Sequence, residues 1–424
     1  MGSSRIDSII NGKLIGGGTI CLSGCHVEKI QVFLGTHSEV TVSVEKAFLG
    51  GNYLEENIEF PKYSIKLKGM LNWCGLCHFE YGDNWQYQWI KKECVRFQLK
   101  QGISVKIYPV LHEPTRTIKA TEEFVLKQEI VMEFEYEQPV CVDTFLADYR
   151  VFETLIVIGS GAKPYLEEIK YYDPKNKLFV SGTKHNIIKP LQMFINWEKG
   201  EAIERPKHKM LFLLENLNAD NQEKYLEWSQ KIELFGTIAD LYCSISYYND
   251  MSLEMKFLNI MQALETYHSR FRYNNKLKNF KAHVEELFSC TITEVPSPHK
   301  EAYYCATQAD SNINYIILKT RMVDLFNDDF KCKIGTMVWN GNIDEVYSYI
   351  DTIVDTRHYY THYGKSKEHK ALRGEKLEFT IHVLRTLFEY HFLKENKFDY
   401  VYIERKISER CKDLLSWYSL KIES

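Results

Sequence analysis

The sequence lacks long apolar runs. No stretch reaches the roughly 18 apolar residues that a membrane-spanning helix needs. No cationic start leads into a short apolar segment, so we expect no signal peptide and a cytoplasmic protein that does not bind a membrane. Low-complexity tracts and repeats of roughly 20–50 residues are also missing, which argues against solenoid and array architectures.

The chain also lacks an excess of positive charge. Its 424 residues carry 53 Lys and Arg against 57 Asp and Glu, a formal net charge of −4. This balance excludes a globally basic nucleic-acid coat but leaves room for a local basic patch. With 45% hydrophobic and 26% charged residues, the composition is typical of a globular protein, and the length predicts two or three domains.

The cysteines give no clear disulfide or redox pattern. There are 11 of them, an odd number, and in a cytoplasmic protein we expect reduced thiols. The segment WCGLCH (73–78) matches the spacing of a thioredoxin-type CxxC motif and of a c-type haem attachment site. A redox pair needs a helix that begins at its first cysteine, whereas residues 78–89 have the composition of strands and turns. Haem attachment needs export from the cytoplasm, and we expect no signal peptide. Structural cysteines are therefore favoured. The alternative is a zinc site of Cys21, Cys25, Cys74 and Cys77.

The first half of the chain has the pattern of β-strands. Short segments rich in Val, Ile and aromatic residues are bounded by Gly, Asn, Asp or Pro, and SVKIYP and VMEFEYE alternate between apolar and polar residues. Residues 141–159 have a helical pattern, and short strands return over residues 165–199. We predict a β-rich N-terminal domain over residues 1–205.

The second half changes to a helical period. Long segments within residues 223–245, 252–271, 312–326 and 375–396 place apolar side chains every three or four positions. We predict an α-helical domain over residues 206–424, which begins at the charged, proline-containing stretch ERPKHK. The fold class is therefore α+β, a β-rich domain followed by a helical bundle.

The segment DTRHYYTHYGK (355–365) concentrates cationic and titratable side chains at one helix end. The apolar period of Ile343, Val346, Tyr347, Ile350 and Val354 places Arg357 on the inward stripe of a helix that we expect to stop at Gly364. His362 follows five residues later, a rotation of about 140°. The two side chains can therefore converge only through the length of arginine, a distorted last turn or a second copy of the chain.

Arg357 and His362 suit the cleavage of a phosphodiester. RNA can be cut when its own 2′-oxygen attacks the adjacent phosphorus, a reaction that needs a proton acceptor, a proton donor and positive charge. Histidine can donate or accept a proton near neutral pH, and the planar guanidinium of arginine binds phosphate oxygens in pairs. We assign His362 to proton transfer and Arg357 to the phosphate, with His358 as a supporting polar group.

Arg357-x4-His362 also resembles the R-x4–6-H motif of the HEPN superfamily, helical bundles that include many RNases. His358 gives the polar residue that is common after the arginine, and one more long helix (375–396) follows the motif. The segment LNIMQALETYHSRF (258–271) resembles the first core helix of ApeA-type HEPN proteins. The strand-rich first half, with its GML-NW segment (69–73), resembles their N-terminal domain.

The resemblance implies a metal-independent endoribonuclease, without a cofactor, that cuts cellular RNA to a 2′,3′-cyclic phosphate and a 5′-OH. Transfer RNA is among the candidate substrates. The resemblance also implies a homodimer in which two copies of the motif face each other across a twofold axis, and a role in bacterial defence against phage. From the domain order we infer that the N-terminal domain senses a phage-derived trigger or restrains the nuclease.

Further residues around the motif are candidates for RNA binding and support. The predicted RNA contacts are stacking rings and phosphate-binding cations: Tyr359, Tyr360, Tyr363, Lys365, Lys367 and Lys370. Core tyrosines and solvated lysines are the alternative. Glu265 lies at the edge of the apolar stripe of its helix, where it is either an exposed acid or the partner that holds Arg357.

Three other interpretations of the motif stay open. His358 and His362 have the i, i+4 spacing of two zinc ligands, although Tyr359 stands where the HExxH glutamate would be. Both histidines could instead form hydrogen bonds inside a packed bundle. The whole domain could be a module that dimerises and binds RNA or a nucleotide without cutting it.

Overall fold

The structure is a computed structural model. It describes residues 5–6, 9–33, 38–53, 58–81, 87–112, 127–179, 186–196, 205–217, 222–247, 250–272, 317–326, 328–338 and 343–422. The chain divides into two compact units, Met1–Lys231 and Ile232–Ser424. The first is β-rich and the second helical, which confirms the α+β class.

The N-terminal unit is built on an antiparallel sheet. The strands are β1 (Arg5–Ile6), β2 (Ile10–Lys13), β3 (Thr19–Val32), β4 (Ser38–Leu49), β5 (Glu59–Lys68), β6 (Phe79–Tyr81), β7 (Tyr87–Trp89), β8 (Val95–Lys100), β9 (Ile103–His112), β10 (Lys127–Cys141), β11 (Tyr165–Phe179) and β12 (Asn186–Ile195). The order in the large sheet is β1-β3-β4-β12-β11-β5-β10-β9-β8, with β2 paired to β3, and β6 and β7 form a separate hairpin.

One helix covers a face of this sheet and closes its core. The unit's helices are α1 (Leu71–Cys74), α2 (Val142–Ser160) and α3 (Leu214–Leu217). The strand β10 alternates because one face of the sheet is buried, and Phe134 of that face contacts Phe145 of α2 edge to face. Phe145 also stacks on Tyr63 of β5, with ring centroids 4.4 Å apart. The helix predicted over residues 141–159 and the strands predicted after it are confirmed by α2, β11 and β12.

The CxxC segment does not have the geometry of a redox pair. The helix α1 ends at Cys74 instead of beginning there, and Gly75 terminates it with a left-handed backbone at φ 66°. Burial raises the pKa of the Cys74 thiol, which disfavours the reactive thiolate. Cys77 donates its S–H to the carbonyl of Phe79. These cysteines are packing residues of the N-terminal unit.

The N-terminal unit extends further along the chain than residue 205, where we predicted the domain boundary. The Leu211 N–H donates to the carbonyl of Gly159 over 2.7 Å, and the Trp228 indole donates to the carbonyl of Val151. Phe212 is fully buried. The chain therefore continues to pack on α2 beyond the charged, proline-containing stretch ERPKHK (204–209), whose composition is typical of a linker.

The second unit is a bundle of helices. They are α4 (Gln222–Tyr247, which crosses the division between the units), α5 (Leu253–Phe271), α6 (Leu318–Leu325), α7 (Asp328–Val338), α8 (Ile343–His362), α9 (Lys365–Glu368), α10 (Gly374–Glu395) and α11 (Tyr400–Ile422). The long helices predicted over residues 223–245, 252–271 and 375–396 are confirmed. Of the one predicted over 312–326, residues 312–316 lie outside the described part, and 318–325 are helical. Two long helices follow the motif, since α11 comes after α10.

Buried polar pairs join the helices of the bundle. The Tyr242 hydroxyl of α4 donates to Glu389 of α10 over 2.8 Å, and Arg410 of α11 donates to the same carboxylate over 2.9 Å. The hydroxyl of Tyr267 in α5 donates to Glu395 of α10. These bonds satisfy groups that would otherwise be costly to bury. In the described residues, the structure contains no helix that combines the length and apolarity of a membrane span.

Candidate functional site

The helix α8 carries the motif, and its buried face differs from the predicted one. The side chains of Val346, Ile350, Ile353 and Thr356 are completely buried, whereas Tyr347 of the predicted stripe is 43% exposed. Thr356 can lie in the core because its hydroxyl donates to the Thr352 carbonyl and accepts the Leu372 N–H. The buried face therefore passes beside Arg357, which lies at its edge.

The helix α8 stops one residue earlier than predicted. It ends at His362, and Tyr363 takes the left-handed conformation at φ 49° that we expected of Gly364. The Tyr363 N–H closes the turn on the Tyr359 carbonyl over 2.6 Å. Gly364 instead begins the short helix α9. The left-handed stop turns the chain directly after the histidine, so His362 lies at the tip of the helix.

Two side chains of α5 hold the Arg357 guanidinium. Its Nε lies 3.3 Å from the Glu265 Oε1, and its Nη2 lies 3.5 Å from the Gln262 Oε1. The Nε approach is an ion pair whose angles do not meet those of a hydrogen bond, so the Nε proton has no acceptor in the described structure. The Arg357 and Glu265 side chains are 18% and 22% exposed. Glu265 is thus the anionic neighbour predicted for this arginine.

The two histidines of the motif are exposed to solvent. His362 and His358 both lie on the outer surface of α8. Within one chain the described structure contains no hydrogen bond or ion pair between Arg357 and His362, as the rotation of about 140° predicted. An exposed imidazole at a helix tip can reach a ligand or a second chain.

The three tyrosines form one cluster but differ in accessibility. The Tyr360 ring is 7% exposed and its hydroxyl donates to the Leu372 carbonyl. Burial raises the pKa of this phenol. The ring of Tyr360 is therefore mainly a core residue, the alternative to the predicted stacking role. Tyr363 is 66% exposed, and the Tyr359 hydroxyl accepts a hydrogen bond from Arg373; these two rings border a cleft of about 420 Å³ beside the N-terminal end of α5.

The predicted phosphate-binding lysines also differ. Lys365 is exposed, whereas Lys367 forms an ion pair with Asp355, and Lys370 lies 3.6 Å from the same carboxylate. The hydrogen bond from Lys367 holds the pKa of Asp355 below its ordinary value. Of these three lysines, Lys365 is the one without a carboxylate partner in the described structure.

A larger cleft opens on the other side of Arg357, between α5, α6 and α8. Its volume is about 800 Å³, and it is bordered by Gln262 and Glu265, which contact Arg357, and by His358. Arg357 itself and His362 are outside the lining, so the cleft adjoins the motif instead of containing it. Polar side chains from three helices therefore face an opening next to the candidate site.

The alternative zinc sites do not form from the residues that the structure describes. No group of three or more His, Cys, Asp or Glu side chains comes together there with the geometry of a metal site. Cys21 and Cys25 are buried in β3, and burial raises the pKa of both thiols. Cys21, Cys25, Cys74 and Cys77 therefore do not come together as the four-ligand zinc site that was the alternative.

The antiparallel N-terminal sheet, the helical bundle and the arginine–histidine helix together define a HEPN-type protein with an added β-rich domain. Comparison with known families matches residues 2–228 to ApeA N-terminal domain 1 and residues 258–402 to Apea-like HEPN. The first match covers more than half of the chain. The chain belongs to the ApeA-type HEPN family of anti-phage proteins. Comparisons with curated proteins and with solved structures gave no match.

Proposed function

We propose that this protein is an endoribonuclease that cuts RNA without a metal ion, with Arg357 and His362 as its catalytic groups. The observation that carries the proposal is the geometry of Arg357. Glu265 and Gln262 hold the Nε and Nη2 side of the guanidinium, and its Nη1 has no partner in the described structure. The end of the guanidinium formed by Nη1 and the second N–H of Nη2 is available to two phosphate oxygens, the paired arrangement in which arginine binds phosphate strongly.

Each residue then has one task in the reaction. The 2′-hydroxyl of the substrate is the nucleophile, and His362 transfers a proton, either from that hydroxyl or to the departing 5′-oxygen. Such a proton transfer is typically worth about 10²–10⁴-fold in rate. Arg357 stabilises the negative charge on the phosphorane. The P–O5′ bond breaks as the P–O2′ bond forms, so the products are a 2′,3′-cyclic phosphate and a 5′-OH.

The site is complete only in a pair of chains. His362 points to solvent from the tip of α8 and has no partner in its own chain within the described structure. A twofold contact brings two copies of one surface together, so an exposed imidazole can meet the guanidinium of a second copy. We therefore propose a homodimer in which an Arg357 and a His362 from different chains act on one phosphate.

A cleavage assay tests the chemistry. The full-length protein is incubated with labelled RNA with and without EDTA, beside the variants Arg357→Ala and His362→Ala. We expect cleavage that survives EDTA, a cyclic phosphate on the product, and a loss of roughly 10²-fold or more in either variant. Cleavage that EDTA abolishes, or that survives His362→Ala, would contradict the proposal.

The biological role is defence of a bacterial cell by cutting its own RNA after infection. Such a nuclease must be restrained beforehand, and we assign that restraint, or the sensing of a phage-derived trigger, to the N-terminal unit. Toxicity on overexpression, compared between the parent and His362→Ala, measures the activity inside cells. Equal growth of both strains, with and without phage, would count against a nuclease role.

The second candidate is a module that binds RNA without cutting it. It is favoured by the fact that no side chain of the described structure orients the His362 imidazole within one chain, since acid–base groups are usually oriented by a neighbour. Retained RNA binding with no cleavage, in vitro and in infected cells, would support this module.

A further inference from the structure

We propose that the cleft between α5, α6 and α8 binds the single-stranded RNA next to the cleaved phosphate. This inference deepens the proposed function because the cleft adjoins Arg357. Its volume is about 800 Å³, within the range of roughly 300–1,000 Å³ that is usual for ligand sites. A space of this volume suits about one or two nucleotides of a single strand.

The wall from α5 carries groups that bind ribose and phosphate. Gln262, Glu265, Thr266 and Ser269 line the cleft, and their spacing of three and four residues places them on one helix face. The Gln262 amide donates to the Thr266 hydroxyl over 3.4 Å and accepts from Arg357, so both of its ends are fixed. Ser269 is exposed, and its hydroxyl has no partner in the described structure, which leaves it available to a 2′-hydroxyl or phosphate oxygen.

The wall from α6 supplies positive charge. Lys319 and Arg321 lie on this wall, and Arg270 of α5 adds a third positive charge to the lining. Among the described lining residues, the one carboxylate is that of Glu265. Glu265 is already next to Arg357, so the cleft has a cationic excess although the whole chain is slightly acidic. Lys319 pairs with Asp351 over 2.5 Å, but both side chains are about half exposed, and such a pair is worth little in water.

The cleft and the motif share two residues. Gln262 and Glu265 border the cleft and also hold Arg357. Arg321 of the opposite wall donates from Nη1 to the Glu265 backbone carbonyl over 3.3 Å. A strand whose scissile phosphate lies on Arg357 can therefore continue into the cleft and place its next phosphate near Lys319 and Arg321.

Binding measurements test this placement independently of cleavage. The probe is a fluorescein-labelled single-stranded RNA of about 20 nucleotides and mixed sequence, titrated with full-length His362→Ala protein, which does not cut it, at several salt concentrations. The variants added to this background are Lys319→Ala, the pair Lys319→Ala/Arg321→Ala, and Ser269→Glu. Lys412→Ala, which removes an exposed lysine of α11, is the matched control.

We expect the affinity at low salt to fall about tenfold in the paired variant and by a similar factor in Ser269→Glu, with no change in Lys412→Ala. The slope of log K against log salt should fall by about 0.7 for each RNA phosphate that the variant no longer neutralises. A loss of folding does not produce such a slope change, and Ser269→Glu alters an exposed side chain, so it stays informative if the paired variant is unstable.

Unchanged RNA affinity in all three cleft variants, or no RNA binding by the parent, would overturn the inference. Weaker RNA binding by the cleft variants, with no cleavage by the protein that keeps His362, would support the cleft as an RNA-binding site and contradict the nuclease function. If the same cleft substitutions in the protein that keeps His362 left both RNA affinity and cleavage unchanged, the nuclease function would stand and the cleft would not bind RNA.

Discussion

At the scale of single residues, the orientation of Arg357 depends on its neighbours in α5. An arginine has four rotatable side-chain bonds and loses much conformational freedom when it binds phosphate. Glu265 and Gln262 hold one edge of the guanidinium before substrate arrives. In the proposed reaction this contact makes Glu265 a positioning residue, since it would act on the phosphate through Arg357.

Glu265→Gln should lower the cleavage rate without abolishing it. The amide keeps the size of the side chain but removes the charge next to a largely buried guanidinium, so Arg357 loses its fixed orientation. We expect kcat to fall about tenfold with KM nearly unchanged, because a misplaced catalytic group costs rate more than binding. The measurement is steady-state cleavage of a short RNA at several concentrations.

The matched control is Glu345→Gln, which removes an exposed acid from the first turn of α8. Its kinetics should equal those of the parent. If Glu265→Gln raised KM and left kcat unchanged, Glu265 would be a binding group and the positioning role would be wrong.

A second residue, Glu129 of β10, makes the N-terminal unit sensitive to acid. Its side chain is 8% exposed and lies 2.6 Å from the ammonium groups of Lys66 and Lys127. Burial raises the pKa of Glu129, but hydrogen bonds from Lys127, Lys66 and His112 outweigh burial and lower the pKa from 4.5 to about 2. A lowered carboxylate pKa stabilises the fold above the unfolded value and loses that stabilisation as the pH falls toward the folded value.

Glu129→Gln should therefore lower the free energy of unfolding at neutral pH and reduce its decline between about pH 5 and pH 2. We expect a loss of about 1–3 kcal/mol at pH 7, the cost of leaving buried groups without their charged partner. Urea unfolding followed by tryptophan fluorescence at several pH values measures it. Glu137→Gln, on an exposed position of the same strand, is the control; a parallel pH dependence in the parent and Glu129→Gln would contradict this assignment.

At the scale of elements, the sequence pattern predicted the helices well and the phase of α8 less well. Apolar spacing predicted the long helices because burial sets that spacing. It missed the buried face of α8 because Thr356 is polar by type but completely buried, with both hydrogen-bonding functions satisfied. Tyr363 takes a left-handed backbone conformation that is usually expected of glycine. The tertiary contacts around Tyr363 cannot be read from the sequence.

The end of the N-terminal unit was also hidden from sequence patterns. The stretch ERPKHK (204–209) has the composition of a linker, yet Phe212 shortly after it is buried against Gly159 at the end of α2. A Cβ placed on Gly159 would lie 2.6 Å from the Phe212 ring and 2.7 Å from the Trp73 indole nitrogen. This glycine allows the segment to approach the helix, a tertiary reason that no local pattern contains.

Gly159→Ala should destabilise the N-terminal unit although alanine is the better helix former. The added methyl group overpacks two completely buried rings, and we expect a loss of about 1–3 kcal/mol. Gly236→Ala is the matched control in α4, since a Cβ there meets no atom within 4 Å, and it should stabilise the protein by up to about 1 kcal/mol. Thermal unfolding of both variants measures the contrast, and equal shifts would show that the segment does not pack as described.

At the scale of the whole molecule, the motif was recognisable from sequence but its completed site was not. His362 lies five positions after Arg357, and a regular helix directs the two side chains to different sides, so they do not meet within one chain. The order of a sheet unit before a helical unit could be predicted from residue patterns, and the HEPN class from the resemblance of the motif and its helices to that family. In the function that we propose, Arg357 and His362 meet only through a second chain.

Mixed dimers test this dependence. Arg357→Ala and His362→Ala chains, each with a different affinity tag, are unfolded and refolded together, and the doubly tagged dimers are purified. Both homodimers should be inactive. If an arginine and a histidine from different chains form one site, each mixed dimer keeps one intact pair and should recover up to about half of the parental activity per dimer.

The control pairs the Arg357→Ala chain with a chain that carries both substitutions. This dimer has no Arg357 guanidinium and should stay inactive, which shows that any recovery needs the complementary chain and not only the mixing step. Recovery in the first mixture alone places the two groups across the interface. Inactive mixed dimers with normal RNA affinity would mean that the reaction needs both groups from the same chain, and the exposed His362 would then have to bend back toward Arg357 of its own helix when RNA binds.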